Sequence, residues 1–509
     1  MAGFLPRGAA MILAGLKGGV RDGAAAIADG ARLVGVCAEE RVSRVRGAGG
    51  ADRLPTAALD LLLQRRGKSR TDVGGYVAVD ADGAQPSGGP VASLDHHFAH
   101  ACTAYLSSPF AAATIVVCDD DAPGFTVWSG NGAAVTRVEW PSEGLDFVAV
   151  YARVAAALGF GAGPADRLLE ALARLQPSAR DVAVDALFGW RDGALVVDVA
   201  LEQKLTAGVG GAGVHDSMLP RARLAAAAQA RLGDLLIELL TRVAQRLGTE
   251  RLCLGGSFFH HSFMNTRVRR AGLCTEVFVP IDPGNSGLAV GAVLSGVAQP
   301  PALASPFLGP AYSAEEVKAV LDNCKLQYSW ESEEGAVAAA VKALRAGHLV
   351  AWFDGGMEWG PRALGARCIL ANPSMPYVLE NLNRFLKQRE PWRGYSLSGT
   401  EAAVAEHFDG PAHARFMECD FTPRDPERFR HILPSPNASL RVQTVADDGL
   451  PRFKRLLQAV GEDTGLPMLV NTSFNGFHEP IVCSPRDAVR VFYGSGLDLL
   501  VLHQFVLSK

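Results

Sequence analysis

Three short apolar runs open the chain, at residues 11–16, 24–28 and 33–38, and Asp29-Gly30 between the last two suits a tight turn. A strand meander is predicted there. Helical spacing of apolar residues follows over 55–64, and 75–79 reads as another strand. A second strand group starts with the unbroken apolar run 112–118 and ends in Asp119-Asp120-Asp121. Carboxylates are thus expected at the carboxyl end of a buried strand, where open α/β sheets commonly build their sites. Helical patterns cover 145–158, 164–175 and 220–247; 251–254 is a strand entering Gly255-Gly256, and 287–294 begins a closely packed helix. Pro300, Pro306 and Pro310 mark a boundary before a new helical pattern at 313–321. Strands are expected beyond it at 349–353, 440–445, 467–470 and 499–502, and no internal repeat is visible. The pattern predicts an α/β protein of two domains, 1–306 and 307–509, the first possessing two lobes.

Composition narrows the class. With 509 residues, 48% hydrophobic and 20% charged, the chain can bury two cores, and disorder is excluded. The formal charge of -4 and the lack of a long basic run exclude nucleic acid as an expected partner. The apolar residues 9–16 are too few to span a membrane and lack a signal-peptide cleavage pattern, so a first buried strand is expected and a membrane partner is not. Nine cysteines without paired spacing read as reduced core residues of a cytoplasmic protein.

Four constellations carry candidate chemistry. The segment from Asp354 to Arg367 sets Arg362 and Arg367 among glycines, and Lys387, Arg389, Arg393 and Arg441 follow. Guanidinium forks and exposed backbone amides suit a small, highly charged phosphate compound. In Asp95-His96-His97-Phe98-Ala99-His100, a helix would place His96 and His100 on one face, within reach of one iron or zinc ion, and His97 elsewhere. Asp119 to Asp121 suit metal or phosphate work. Gly255-Gly256 and the glycines of 284–291 would let a nucleotide lie against backbone, or serve close packing. Asn471, Ser473 and Asn475 follow a strand, where amide and hydroxyl groups can orient a nucleotide or carbamoyl group, or form a turn.

In order and spacing these stretches resemble the O-carbamoyltransferase family of nodulation and antibiotic biosynthesis. The matching segments include Asp29-Gly30, Glu39 to Arg44, the histidine cluster, Ser108-Pro-Phe110, Gly255-Gly256, 280–292, 355–372, 387–391, 441–445 and 471–487. The resemblance implies a two-lobed domain of the actin, hexokinase and sugar-kinase kind, then an α+β domain similar to threonylcarbamoyl-adenylate synthases. It implies use of ATP, magnesium and carbamoyl phosphate to make carbamoyl adenylate, and transfer of the carbamoyl group to a hydroxyl of a small secondary metabolite. Arg362, Lys387, Arg389 and Arg441 would hold the phosphates. Gly255, Gly256, Asn285, Asn471, Ser473 and Asn475 would line the cofactor sites. His96 and His100 carry over as metal ligands, usually of iron with zinc as the alternative, with Asp119 as a further metal residue; the remaining protein ligand would fall at Asn285, Asp282 is expected nearby, and His97 is the expected base. The family has aspartate at the position of Asn285, histidine at that of Val20 and asparagine near His260 and His261. Competing expectations are a sugar-kinase-like phosphotransferase and a nucleotide-binding regulatory or scaffold protein with a degenerate transfer site. A homodimer is the expected assembly.

Overall fold

The computed structural model describes residues 12–50, 53–81, 83–84, 86, 90–141, 145–161, 165–208, 218–297, 305–446 and 449–509; Met11, Pro164 and Pro300 of the expected elements lie outside them. The opening meander forms β1 (Ile12–Lys17), β2 (Ala24–Asp29) and β3 (Arg32–Ala38), and β4 (Val73–Val79) and β5 (Val91–Ser93) complete a five-stranded sheet. Its order is β3-β2-β1-β4-β5, with β1 antiparallel to β2 and parallel to β4.

A second sheet repeats this plan. It contains β6 (Ala112–Asp119), β7 (Gly124–Asn131) and β8 (Ala134–Val138); a separate hairpin of β9 (Phe188–Arg191) and β10 (Ala194–Val197) intervenes before β11 (Arg251–Gly255) and β12 (Glu276–Phe278). The order β8-β7-β6-β11-β12 has the same sense at every pairing as the first sheet. The architecture is therefore duplicated although no repeat is visible in the residues.

The helices His96–Leu106 and Leu288–Ser295 pack on each other between the sheets. A Cβ added at Gly291 would lie 2.1 Å from the Ala99 carbonyl oxygen, so only glycine permits this approach. On the outer side of the second sheet, the 29-residue helix Leu219–Leu247 starts with Pro at its first turn and stops at Gly248, whose φ of 61° is the left-handed cap glycine favours.

The rest of the chain builds a ten-stranded mixed sheet from β13 (Ser329–Trp330), β14 (Val350–Phe353), β15 (Arg367–Ala371), β16 (Ser396–Thr400), β17 (Phe408–Asp409), β18 (Asp420–Pro423), β19 (Leu440–Val445), β20 (Met468–Ser473), β21 (Leu499–Leu502) and β22 (Phe505–Ser508). Both faces are covered. Ala351, Phe353 and Ile369 belong to one core, while the intervening Val350, Trp352, Cys368 and Leu370 belong to the other. That burial explains strands that read as continuous apolar runs rather than alternating ones.

The third sheet is stitched to the first two. Arg44 donates to the carbonyls of Ile481 at 2.6 Å and Pro480 at 2.8 Å, and Arg41 to that of Gly360 at 2.9 Å. Thr266 Oγ1 accepts from the Asp420 amide at 2.7 Å.

Candidate active site between the lobes and the third sheet

Asp95 begins the histidine helix by accepting the Phe98 amide at 2.9 Å, so residue 96 is its first helical position. His96 and His100 then share a face, and their Nε2 atoms approach to 3.2 Å. Asp119, at the end of β6, joins them, with Oδ2 3.0 Å from His96 Nε2 and Oδ1 3.2 Å from His100 Nε2. Ser257 N–H donates to Asp119 Oδ1 at 2.7 Å. His96 Nδ1 lies 2.8 Å from Asp80, the kind of outer partner that orients a metal-binding imidazole.

Candidate ligand atoms of His96, His100 and Asp119 all lie within 4.8 Å of one another. Burial disfavours charge on His96, yet hydrogen bonds to Asp119 and Asp80 hold its pKa up at about 9. Burial also disfavours ionised Asp119, but His100 and His96 overcome it and keep the carboxyl well below its usual range. Two imidazole edges and a carboxylate converge on one point, a group that could hold a metal ion in place of the shared proton. The donor set fits iron or zinc.

His97 points away from this group. Its Nδ1 meets Thr126 Oγ1 at 2.7 Å and its Nε2 the Ala122 carbonyl at 2.6 Å, so both ring nitrogens are occupied. The expected base role is corrected to a structural one. Gly255 and Gly256 allow close backbone packing, the alternative use their sequence offered. Gly256, at φ 97°, would put a Cβ 2.1 Å from the Cys118 carbonyl oxygen, and Gly255 one at 3.0 Å from that of His100. The close turn carries the Ser257 amide to Asp119.

A cavity of about 610 Å³ runs between both lobes and the third sheet. Asp22 and Arg46 line it from the first lobe, Arg167, His260 and Asn285 from the second, and Pro361, Ser473 and Asn475 from the third sheet. Asn285 Nδ2 donates to Asp121 at 2.9 Å, and its buried Oδ1 has no partner among the described residues. Val20 is 79% exposed.

Arg362 is partly exposed, and its only hydrogen bond among the described residues goes to the His260 carbonyl at 3.1 Å. Burial, then Arg441 and Arg167, push its pKa well down. Burial and Arg389 likewise lower that of Arg393 to about 10. These guanidiniums crowd one region and create a demand for anions. Glu170 supplies one, pairing with Arg441 and, at 3.1 Å, with Arg174. Burial opposes its charge, but Arg441 and Arg174 hold its carboxyl well below the usual range.

The remaining expected phosphate groups are committed to the protein. Lys387 Nζ donates to the Ser473 carbonyl at 2.6 Å and to Asn475 Oδ1 at 2.7 Å, and burial and Arg389 keep its pKa well down. It holds the loop after β20, with Ser473 Oγ donating to Asn475 Oδ1 at 2.7 Å. Arg389 donates to Asn383 at 2.9 Å and stacks 4.0 Å from the Tyr395 ring. Arg441 Nε donates to Ser262 at 2.7 Å. Asn471 is buried, donating to Ser398 at 2.8 Å and the Ala363 carbonyl at 3.1 Å. Arg367, the second arginine of the glycine-rich segment, donates to the carbonyls of Asp354, Gly355, Pro310 and Ala366, which removes it from phosphate work.

Residues 85–294 match the family described as Carbamoyltransferase N-terminus, and residues 341–509 the Carbamoyltransferase C-terminus. The chain belongs to the carbamoyltransferase family. Uncharacterized protein sll1178 of Synechocystis is 31% identical to this carbamoyltransferase over 82% of its chain and 76% of the relative's length. Nodulation protein NolO of Bradyrhizobium diazoefficiens is 30% identical over 56% of the chain, and NolNO of Sinorhizobium fredii is 30% identical over 56%. The chain spans about half the length of these nodulation proteins, 54% and 44%. Among solved structures, the activator of 2-hydroxyisocaproyl-CoA dehydratase from Clostridium difficile superposes with a TM-score of 0.38 at 16% identity, covering 56% of this chain and 94% of its own. The family match establishes an enzyme of carbamoyltransferase type, and no described helix is long and apolar enough to cross a membrane.

The sequence reading overlooked Arg167, Glu170 and Arg174. The available signal was Glu170 itself, a carboxylate between Leu169 and Ala171 on the buried stripe of its helix.

Proposed function

We propose that the protein is an ATP-dependent O-carbamoyltransferase. Carbamoyl phosphate first loses phosphate to water, giving carbamate. The carbamate oxygen then attacks the α-phosphorus of magnesium-bound ATP, pyrophosphate leaves, and carbamoyl adenylate forms beside the third sheet. The acceptor hydroxyl finally attacks the carbamoyl carbon, and AMP leaves. The observation that carries this reading is the single cavity joining the two family-matched parts, with Arg362 beside it and Arg167 in its wall. A mixed anhydride formed there can reach the second lobe without crossing bulk water, which would hydrolyse it.

Arg362 and Arg167 neutralise phosphate charge, and their crowding with Arg441 strengthens the attraction for it. Lys387 shapes the wall by fixing Ser473 and Asn475. His96, His100 and Asp119 would hold the metal ion. A cation bound there would polarise the carbamoyl carbonyl as a Lewis acid. The likeness of the lobes to actin and sugar-kinase folds is supported by the duplicated sheet order, and belongs to the same proposal.

The test supplies carbamoyl phosphate, ATP, magnesium and iron with a panel of hydroxylated metabolites, and seeks by mass a product heavier by one carbamoyl group. A carbamate ester on one acceptor supports the reading. A phosphorylated acceptor instead would replace it with phosphotransfer.

A further inference from the structure

With both nitrogens of His97 engaged, His96 and His100 turned to Asp119, and His261 buried against Tyr151 with Nδ1 3.7 Å from Glu170, the more exposed histidine of the cavity wall is His260. It ends the short turn Ser257–His260 that follows Gly256, and its side chain retains 16% exposure. Neither ring nitrogen makes a hydrogen bond among the described residues, and Nε2 stands 3.5 Å from Asp282 Oδ1. Nε2 itself packs against the backbone at Gly284, where a Cβ would lie 2.3 Å from it. The backbone of the same residue accepts Arg362. One short turn therefore links the arginine proposed to bind phosphate to an imidazole of the cavity wall.

We infer that His260 is the base that takes the proton from the acceptor hydroxyl as its oxygen attacks the carbamoyl carbon. This rests on the transfer reading above. The new bond joins the acceptor oxygen to that carbon, the bond from carbon to the adenylate oxygen breaks, AMP leaves, and the proton passes from His260 to solvent through the cavity. Asp282 has its own partners in the Gly284 amide, at 3.0 Å, and the Ser286 hydroxyl, which fix its carboxylate as the orienting neighbour of Nε2. Arg167 from the second lobe and Arg362 and Arg441 from the third sheet face the ring, opposed by Asp119 at the end of β6. Burial and those arginines favour the neutral imidazole a base requires.

The experiment uses the full chain with ATP, magnesium, carbamoyl phosphate, and glycerol as a surrogate polyol acceptor. It measures the ratio of AMP released, and of carbamoylated glycerol, to pyrophosphate released. Replacing the base should lower this ratio on the order of 10²–10⁴-fold in H260N. Added imidazole should restore part of it in H260A, and the rise of transfer with pH seen in wild type should be absent from H260N. A ratio unchanged in H260N, an unaltered pH profile, or wild type that releases pyrophosphate but no AMP would overturn the assignment of His260. Absence of carbamoyl-phosphate-dependent pyrophosphate release from wild type would instead remove the adenylate reading beneath it.

Discussion

Replacing Glu170 by glutamine isolates the electrostatic joint between the second lobe and the third sheet. Glu170 is 2% exposed, accepts Ser262 Oγ at 2.8 Å, and bonds Arg174 and Arg441. An amide removes one negative charge and leaves its two buried guanidiniums, with Arg167 and Arg362 nearby, balanced mainly by Asp420, 2.8 Å from Arg174. Breaking a buried pair from one side costs about 3–5 kcal/mol. At about 2.1 cal/mol/K of unfolding entropy per residue, a chain of 509 residues shifts by roughly 1 °C per kcal/mol, a fall in Tm of about 3–5 °C. Thermal melts read it, and inorganic phosphate should return part of the loss to E170Q while adding less to wild type, because it supplies the missing anion. The same carboxylate sets a pH dependence. Its folded pKa lies well below the ordinary glutamate value of about 4.5, so its contribution to stability is full above about that pH and is lost as pH falls toward the folded value. An E170Q protein melting with wild type, or one losing stability as steeply as wild type when the pH falls below about 4.5, would refute this account of the joint.

Other outcomes follow from the same geometry. R362A should lose most carbamoyl-phosphate-dependent pyrophosphate release, since Arg441, Arg389 and Arg367 are tied to Glu170, Asn383 or backbone and only Arg167 of the named arginines is left to phosphate; steady-state assay of pyrophosphate checks this. Metal analysis and anomalous scattering at the iron and zinc edges should find an ion between His96 and His100 in metal-replete protein, and neither H96A nor H100A should retain it. H97A should lose about 1–3 kcal/mol of stability, because the Ala122 carbonyl and Thr126 hydroxyl lose their partner, while keeping its metal. Denaturant melts and metal analysis separate those two effects.

Much of the fold is legible in local pattern. The runs at 24–28, 112–118, 251–254 and 440–445 match β2, β6, β11 and β19 to within a residue or two at each end. β15, β16 and the helices Glu333–Arg345, Pro451–Thr464 and Pro485–Tyr493 were passed over. In β15 the cause is burial on both faces, which erases the alternation that marks a strand. The metal cluster was readable because helical spacing and a strand end bring its members together. Arg441 was not, because its partner Glu170 comes from a distant helix and nothing local distinguishes a guanidinium awaiting phosphate from one already paired. The partners of His97 and Lys387 were hidden for the same reason: residue type advertises chemistry, but the neighbours that engage a donor or acceptor are set by tertiary packing.

The central claim is that this chain activates a carbamoyl group with ATP. The most direct measurement is pyrophosphate release from ATP and magnesium by purified protein, with and without carbamoyl phosphate and with no acceptor present. The account predicts release that depends on carbamoyl phosphate and is lost in R362A. Carbamoylated acceptor forming from carbamoyl phosphate alone, with no pyrophosphate released, would contradict it.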